Sequence, residues 1–280
     1  MSRRRIARER VISAAKKLAL KASFELEPEV VRLLKQAALR EKSRNGRLAL
    51  QLILENIRIA REQKLPLCQD TGLSVFFVEL GREVELNFEL IAAINQGLRQ
   101  AASGGFLRCS IADPLTRENT GDNTPAIVHI SLAGGSRLGM RLLLKGGGAE
   151  NKSVVKMLVP AEGIEGIKRT VVDAVRSAGG QACPPIFVGL GIGGDLEVCA
   201  LLAKRALARR AGESSRDQAL ARLEQELLAE LNQLGIGPAG LGGRCTCLAV
   251  QAEKAPGHIA SLAVAVNLQC WAHRAAEVWL

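Results

Sequence analysis

The stretch whose reading decides the fold is Ala182-Cys183-Pro184-Pro185-Ile186-Phe187-Val188-Gly189-Leu190-Gly191-Ile192-Gly193-Gly194-Asp195. Two prolines fix the backbone and remove two donors. The apolar run Ile186–Leu190 then reads as a short strand, and residues 195–211 read as a helix. A strand that turns sharply into a helix is the building unit of α/β chains. Glycines 189, 191 and 194 also spell G-x-G-x-x-G, and Glu213 lies about 20 residues further on, as a dinucleotide fingerprint requires. The rest of that unit is not expected. The polar Glu213–Asp217 segment is followed by another helix, with no second parallel strand to complete a βαβ fold. The glycines are expected to let backbone pack closely and to leave an anion-friendly helix start.

Working outward, residues 27–42 carry Val30, Val31, Leu34, Ala37 and Ala38, and residues 46–63 carry Leu50, Ile53, Leu54 and Ile57. Both sets match the i, i+3, i+4, i+7 spacing of helices. Pro66 ends that run, and the loop Leu67–Gly72 leads into Leu73–Leu80, an apolar stretch that reads as a buried strand. A helix is predicted over 89–102. Strands are predicted over 125–133 and 138–144, joined as a hairpin by Gly134-Gly135-Ser136. Further helices are predicted over 163–177 and 216–234, the latter closed by Gly235 and Gly237, with last strands over 245–252 and 261–269. No repeat, low-complexity segment or long linker interrupts the chain. The fold class is α/β, with mixed sheets flanked by helices. Residues 1–64 form a helical N-terminal region, and residues 65–280 form an α/β domain continuous with it.

Composition narrows the function. With 48% hydrophobic and 24% charged residues in 280, the chain is not disordered. No apolar run reaches the ~18 residues of a membrane helix. The basic start MSRRRIARER lacks the apolar region of a secretory leader. Tyrosine is absent and aromatics are 3%, so the core must be aliphatic and stacking on bases is disfavoured. The net charge of +10 fits nucleic-acid binding, a field that draws small anions, or plain solubility. The basic clusters Ser2–Arg10 and Lys204–Arg210 read as solvated helix faces, with no helix-turn-helix, zinc-finger or ribonucleoprotein pattern beside them. Seven cysteines, an odd count without regular spacing, argue for a reducing, cytoplasmic compartment and against a disulfide framework. Cys245 and Cys247 fall on one face of a strand and read as small buried hydrophobes.

Chemistry concentrates elsewhere. Leu67-Cys68-Gln69-Asp70-Thr71-Gly72 sets a thiol, an amide, a carboxylate and a hydroxyl on one loop at a strand mouth. Cys183 stands just before a strand and Cys270, in Gln269-Cys270-Trp271, just after one. Three dispersed thiolates can hold an iron–sulfur cluster and leave one iron open as a Lewis acid. Cys199 falls mid-helix and reads as core. Lys145-Gly146-Gly147-Gly148 is too short for a phosphate-binding loop, but its N–H groups can approach a ligand closely. Asn119–Pro125 reads as a polar turn, His129 and His273 as structural histidines, and His258 as a residue of a Pro/Gly turn before the last strand.

Together these pieces resemble the class I, iron–sulfur-dependent fumarate hydratases, specifically their alpha subunit. The resemblance rests on LPLCQDTG (65–72), ENTGDNTPA (118–126), KGGGAENKS (145–153), ACPPIFVGLGIGG (182–194) and GHIASLAVAVNLQCWAHR (257–274), in family order from about residue 20 onward. It implies a 4Fe–4S cluster held by Cys68, Cys183 and Cys270, whose open iron binds the substrate. It implies that Asp70 exchanges a proton with the hydroxyl, and that Gln69, Arg108, Gly148 and His258 bind substrate. Arg108 is placed only by the pair Leu107-Arg108. The reaction implied is reversible hydration of fumarate to L-malate, a dianion that iron, Arg108 and backbone N–H groups can neutralise. The L-tartrate dehydratase alpha subunit belongs to the same superfamily and ranks second. The lysine before the glycine triplet and the NTGDNTPA wording look more like fumarase. Single-chain members carry a second domain that supplies the base toward carbon, so the resemblance implies a separate beta subunit, in an α2β2 assembly, and neither nucleic acid nor membrane as partner. A basic nucleic-acid-binding protein is the non-enzymatic alternative, and a dinucleotide-dependent redox enzyme the third.

Overall fold

The computed structural model describes residues 3–280, so Ser2 of the first basic cluster lies outside the described residues. In chain order the elements are β1 (Arg4–Arg5), α1 (Arg8–Phe24), α2 (Pro28–Arg40), α3 (Arg44–Gln63), β2 (Leu73–Gly81), β3 (Val84–Glu85), α4 (Leu90–Gly104), β4 (Ile127–Ala133) and β5 (Leu138–Lys145). They continue with α5 (Gly147–Glu150), β6 (Val154–Leu158), α6 (Gly163–Ala178), β7 (Ile186–Gly193), α7 (Leu196–Ala208), α8 (Gln218–Gln233), β8 (Cys247–Ala255), β9 (Leu262–Gln269) and β10 (Ala275–Trp279). The mixed α/β class with a helical start is therefore observed. The chain forms two compact units. One holds the residues up to Glu27, Asn56–Gly147 and Arg274–Leu280; the other holds Pro28–Glu55 and Gly148–His273. Residues 1–64, read from sequence as a helical region continuous with the rest, contribute α1 to the first unit, α2 to the second and parts of α3 to each.

In the first unit the sheet order is β10-β5-β2-β4. The continuous apolar run of β2 makes it a central strand, with Val75, Phe76 and Val78 buried. β2 pairs parallel with β4 and antiparallel with β5. The hairpin expected between β4 and β5 is thus not formed, because β2 lies between them. The connection arches over the end of β2 instead: Gly81 N–H bonds Arg137 O at 3.0 Å and Arg82 N–H bonds Ala133 O at 2.9 Å. Glycines joining two apolar runs look the same in sequence whether the strands are neighbours or one apart. α1 and α4 cover one face, packing Val11, Ala15, Leu18, Ile94 and Leu98 on Phe76, Met140 and Leu142. The two helices meet at Gly97, where an added Cβ would stand 2.5 Å from Ile12 O.

In the second unit the order is β6-β9-β7-β8. β7 pairs antiparallel with β9 and parallel with β8. A second parallel strand does complete the crossover, against expectation. It arrives after two helices rather than one, beyond the reach of a pattern that looks for a strand directly after α7. α6 and α8 cover one face, setting Ile167, Val171, Leu223 and Leu227 against Val188, Val250 and Val266. α7 covers the other, with Cys199 and Ala203 against Ala263 and Ala265. The fingerprint glycines make this second packing possible. A Cβ on Gly189 would lie 2.1 Å from Ala203 O, and one on Gly191 1.9 Å from Cys199 O. Gly193 and Gly194, with φ of +81° and +66°, turn the chain into α7. The anion-friendly helix start is already filled, since Asp195 accepts the Val198 N–H at 2.8 Å. Close packing is what these glycines serve.

Glu41 is a buried hub of the second unit. Its carboxylate accepts N–H bonds from Lys42 (2.8 Å), Ser43 (2.9 Å), Arg244 (2.9 Å) and Cys245 (3.0 Å), tying the α2–α3 turn to the approach to β8. Burial pushes its pKa up, but the four N–H groups outweigh burial and hold it below its ordinary 4.5. A pKa depressed in the folded state contributes stability above the unfolded value and loses it as pH falls through the folded one.

Two outcomes follow. Gly191→Ala should cost on the order of 3 kcal/mol or more in denaturant unfolding, whereas Gly134→Ala, which points into open space, should stay within about 0.5 kcal/mol. Glu41→Gln should lower stability at neutral pH by about 1–3 kcal/mol and flatten the loss of stability below pH 4.5; an unchanged acid limb in urea melts would show that Glu41 does not carry it.

Candidate active site

The loop Leu65–Gly72 leaves α3 and enters β2. Both backbone groups of Leu67 are held, its N–H by Ser23 O at 2.8 Å and its C=O by Asn56 Nδ2 at 3.0 Å. Cys68 follows, half-buried, its thiol 3.5 Å from Gln69 Oε1, with the Gln69 side chain exposed. Asp70 is clamped at three points. Its Oδ1 accepts the Gly72 N–H at 2.8 Å and its Oδ2 the Gly147 N–H at 2.8 Å. Its backbone carbonyl accepts from Arg274 Nη1 at 2.6 Å, and Arg274 is buried.

The glycines beside Asp70 are there for space. Gly72 has φ +79°, and a Cβ on it would lie 2.5 Å from Lys145 O, because the start of β2 lies beside the end of β5. A Cβ on Gly146 would stand 3.1 Å from Asp70 Oδ2. The Lys145-Gly146-Gly147 segment is therefore a backbone cradle for a carboxylate, and Lys145 itself is buried.

Thr71 carries the loop to a second polar segment. Its hydroxyl donates to Arg108 O at 2.7 Å, and Asn123 Nδ2 donates to the same oxygen at 3.1 Å. Asn123 Oδ1 accepts the Ser110 N–H at 2.7 Å. Asp122 accepts from the N–H and hydroxyl of Thr124 at 2.9 and 2.7 Å. Burial pushes the Asp122 pKa up, yet Thr124 and the Arg99 guanidinium hold it below the ordinary carboxylate value. The polar turn Asn119–Pro125 is thus a scaffold that fixes the Arg108 backbone and leaves the Arg108 side chain exposed.

The second unit holds the remaining candidates. Cys183 follows a 3₁₀ turn with φ +54° and is exposed. Its carbonyl accepts the Trp271 N–H at 3.2 Å, which sets the Cys183 and Cys270 segments side by side where the β7–β9 ladder ends. An apolar cavity of about 400 Å³, lined by Leu48, Leu52, Pro184, Leu241 and Trp271, opens beside Cys183. Gly148 is exposed on α5. His258 is exposed, its Nδ1 accepting the Ala260 N–H at 3.1 Å. It precedes β9, at the other end of the ladder from Cys270, roughly 25 Å of extended chain away. The unit does not bring His258 to its two cysteines. His273 is buried edge-on to Phe187 with ring centroids 4.7 Å apart, the structural role expected for it.

None of the seven cysteines is joined in a disulfide. They sort by surroundings. Burial pushes the Cys199 thiol up, and burial pushes Cys247 up to about 12. Burial, then the Glu41 carboxylate, raises Cys245 to about 12. These thiols are inert filler. Cys68, Cys183 and Cys270 stand in loops at strand ends and are reachable, and Cys109, likewise half-buried, donates its thiol to Gly121 O at 3.0 Å. Among the described residues no three His, Cys, Asp or Glu side chains meet as closely as the ligands of a single ion. Thiolates of a cluster bind different irons and need not meet at a point. Three soft, reachable thiols fit an iron–sulfur group by donor chemistry.

Residues 12–279 match the model of the family described as fumarate hydratase (Fumerase). The chain belongs to the fumarate hydratase (Fumerase) family. It is 42% identical over 262 residues, 91% of this chain and 92% of the other, to a Methanocaldococcus jannaschii protein provisionally named L(+)-tartrate dehydratase subunit alpha. It is 34% identical over 256 residues, 90% of this chain and 84% of the other, to the L(+)-tartrate dehydratase subunit alpha of Escherichia coli strain UTI89. The strain K12 protein of the same name is 33% identical over the same length. The structure adds Arg274, which sequence reasoning did not single out, and gives Thr71 and Gly146, read there only within their segments, their places around Asp70. The one signal for Arg274 was a cation placed shortly after the apolar strand Leu262–Gln269, where a buried charge needs a partner.

Limited alkylation of cluster-free native protein at pH 8 should label Cys183 first and Cys68, Cys109 and Cys270 next. Cys199, Cys245 and Cys247 should react only after denaturation. Peptide mass spectrometry reads this order, and early labelling of Cys245 or Cys247 would contradict it.

Proposed function

We propose that this chain is the alpha subunit of an iron–sulfur hydro-lyase acting on a four-carbon dicarboxylate, and that its reaction is the reversible hydration of fumarate to L-malate. The family match over residues 12–279 carries this reading. The relatives named as alpha subunits support a partner beta subunit, which we assign the base toward carbon, and an α2β2 assembly. Among the described residues no helix is long and apolar enough to cross a membrane. The irregularly spaced cysteines, joined in no disulfide, support a cytoplasmic location.

Cys68, Cys183 and Cys270 would hold a 4Fe–4S cluster, which when bound supplies a Lewis acid toward substrate oxygen. The chain's own residues supply the rest. Asp70 takes the proton from the arriving water, or returns it to the departing hydroxyl, through its carboxylate. The Gly72 and Gly147 N–H groups fix that carboxylate's orientation. The exposed Arg108 guanidinium neutralises a substrate carboxylate, and the Thr71 and Asn123 bonds to its carbonyl hold its backbone still. Gln69 and the Gly148 N–H add donors. His258 stands too far along the β7–β9 ladder to share a substrate with Cys183 and Cys270 of its own chain. Its place in this reading is toward a substrate held by another chain.

L-tartrate is the second reading, favoured by the names of the three relatives. Anaerobic reconstitution of the chain with its partner subunit tests both. About four irons and four sulfides per chain are expected. They should be lost in Cys68→Ser, Cys183→Ser and Cys270→Ser and kept in Cys199→Ser. Asp70→Asn should keep the iron and lower kcat by about 10²–10⁴-fold. A kcat/KM higher for fumarate than for L-tartrate supports the first reading, the reverse order supports the second, and absence of a cluster overturns both.

A further inference from the structure

We propose that a recess over Gly146, between the Asp70 carboxylate and the Arg274 guanidinium, seats the hydroxyl that the substrate gains or loses, with Arg274 donating to its oxygen. This inference rests on the hydro-lyase reading above and deepens it.

Arg274 is a buried cation, 2% exposed. A charge taken out of water needs an opposite charge or a full set of hydrogen bonds, and a guanidinium carries five N–H donors. Among the described residues only Nη1 finds an acceptor, the Asp70 carbonyl at 2.6 Å, and Nε is buried without one. Nη2 lies beside Gly146. A Cβ built on Gly146 would stand 3.1 Å from Asp70 Oδ2 and 3.6 Å from Arg274 Nη2, with Asp70 Cγ next at 3.9 Å. Gly146 is itself buried. Its missing side chain therefore leaves a small recess whose nearest atoms are one carboxylate oxygen and one cationic donor. Both walls are fixed. The Gly147 N–H holds Oδ2 at 2.8 Å, and the Arg274 carbonyl accepts the Leu144 N–H at 2.9 Å, where β10 begins beside β5.

The two walls select the occupant. A carboxylate or phosphate oxygen would suit Nη2 but meet Asp70 as a like charge. An ammonium group would suit Asp70 but meet Arg274 as one. A hydroxyl or water oxygen satisfies both, because it accepts from Nη2 and donates to Oδ2. That is the group a hydro-lyase exchanges. In dehydration the C–O bond breaks, Asp70 passes its proton to that oxygen, and water leaves. The Arg274 hydrogen bond strengthens as negative charge grows on the oxygen. In hydration the water oxygen bonds to carbon and its proton passes to Asp70. The proton at the neighbouring carbon is exchanged with the base assigned to the partner subunit.

Tartronate and malonate test this. They are three-carbon diacids that differ by one hydroxyl, and tartronate has no C–H beside its hydroxyl-bearing carbon, so it cannot lose water. Calorimetric titration of the anaerobic complex with its partner subunit, with iron counted, reads their affinities without turnover. Arg274→Gln should weaken tartronate by about 10-fold and leave malonate unchanged. Gly146→Ala, which fills the recess and keeps Arg274, should do the same, and it decides the matter where Arg274→Gln loses its iron. An Arg274 that only holds the Asp70 loop would weaken both acids alike. Equal weakening of the two acids, or tartronate affinity unchanged in Gly146→Ala, would overturn the inference and leave the hydro-lyase reading standing. A parent complex that holds iron but takes up neither acid would overturn the dicarboxylate reading and this inference with it.

Discussion

Main chain lies against main chain at several places in this protein, and each needs a residue without a Cβ. Gly97 admits α1 to α4, Gly189 and Gly191 admit α7 to β7, and Gly72 admits the end of β5 to the start of β2. Helices and strands pack this closely when one partner is glycine and the other alanine or backbone, and an interior poor in aromatics is built that way. The core gains through many small contacts, each lost outright when a gap opens. The same constraint reaches the chemistry. The Gly72 approach puts the last residues of β5 beside Asp70, so one packing solution both closes the sheet and supplies the N–H that orients the carboxylate.

What the sequence revealed followed from local rules. Apolar spacing in α2, α3, α6 and α8 is a property of each segment alone, and the apolar stretch Leu73–Leu80 marked a buried strand. The three reachable thiols were legible from their neighbours, a polar loop at Cys68 and strand ends at Cys183 and Cys270, while Cys199 was legible as core from its place inside an apolar helix. The non-local features were hidden. Nothing in Gly134-Gly135-Ser136 tells that a third strand lies between β4 and β5. Nothing after α7 tells that β8 returns parallel to β7 once a second helix has passed. The distance of His258 from Cys270 follows only from the register of β7 with β9, although twelve residues separate them in sequence.

The glycine fingerprint shows how one motif can serve two physical ends. In a dinucleotide fold such glycines open a helix start toward phosphate. Here two of them lie within the strand, facing α7, and the helix start is closed by Asp195, an acidic cap that repels an anion. The pattern was legible and its use was not, because the use depends on which atoms face the glycine hydrogens.

In the proposed function Asp70 transfers a proton, and a carboxylate with that task is better held by backbone than by side chains. A lysine or arginine paired with it would favour the charged form by a full opposing charge and make it a poor acceptor of a proton. Two neutral N–H groups fix its direction, and they sit on backbone whose position the β2–β5 ladder determines. Arg274 bonds the carbonyl of Asp70 rather than its carboxylate. That arrangement anchors the main chain of Asp70 and its carboxylate separately, the one by a guanidinium and the other by two N–H groups.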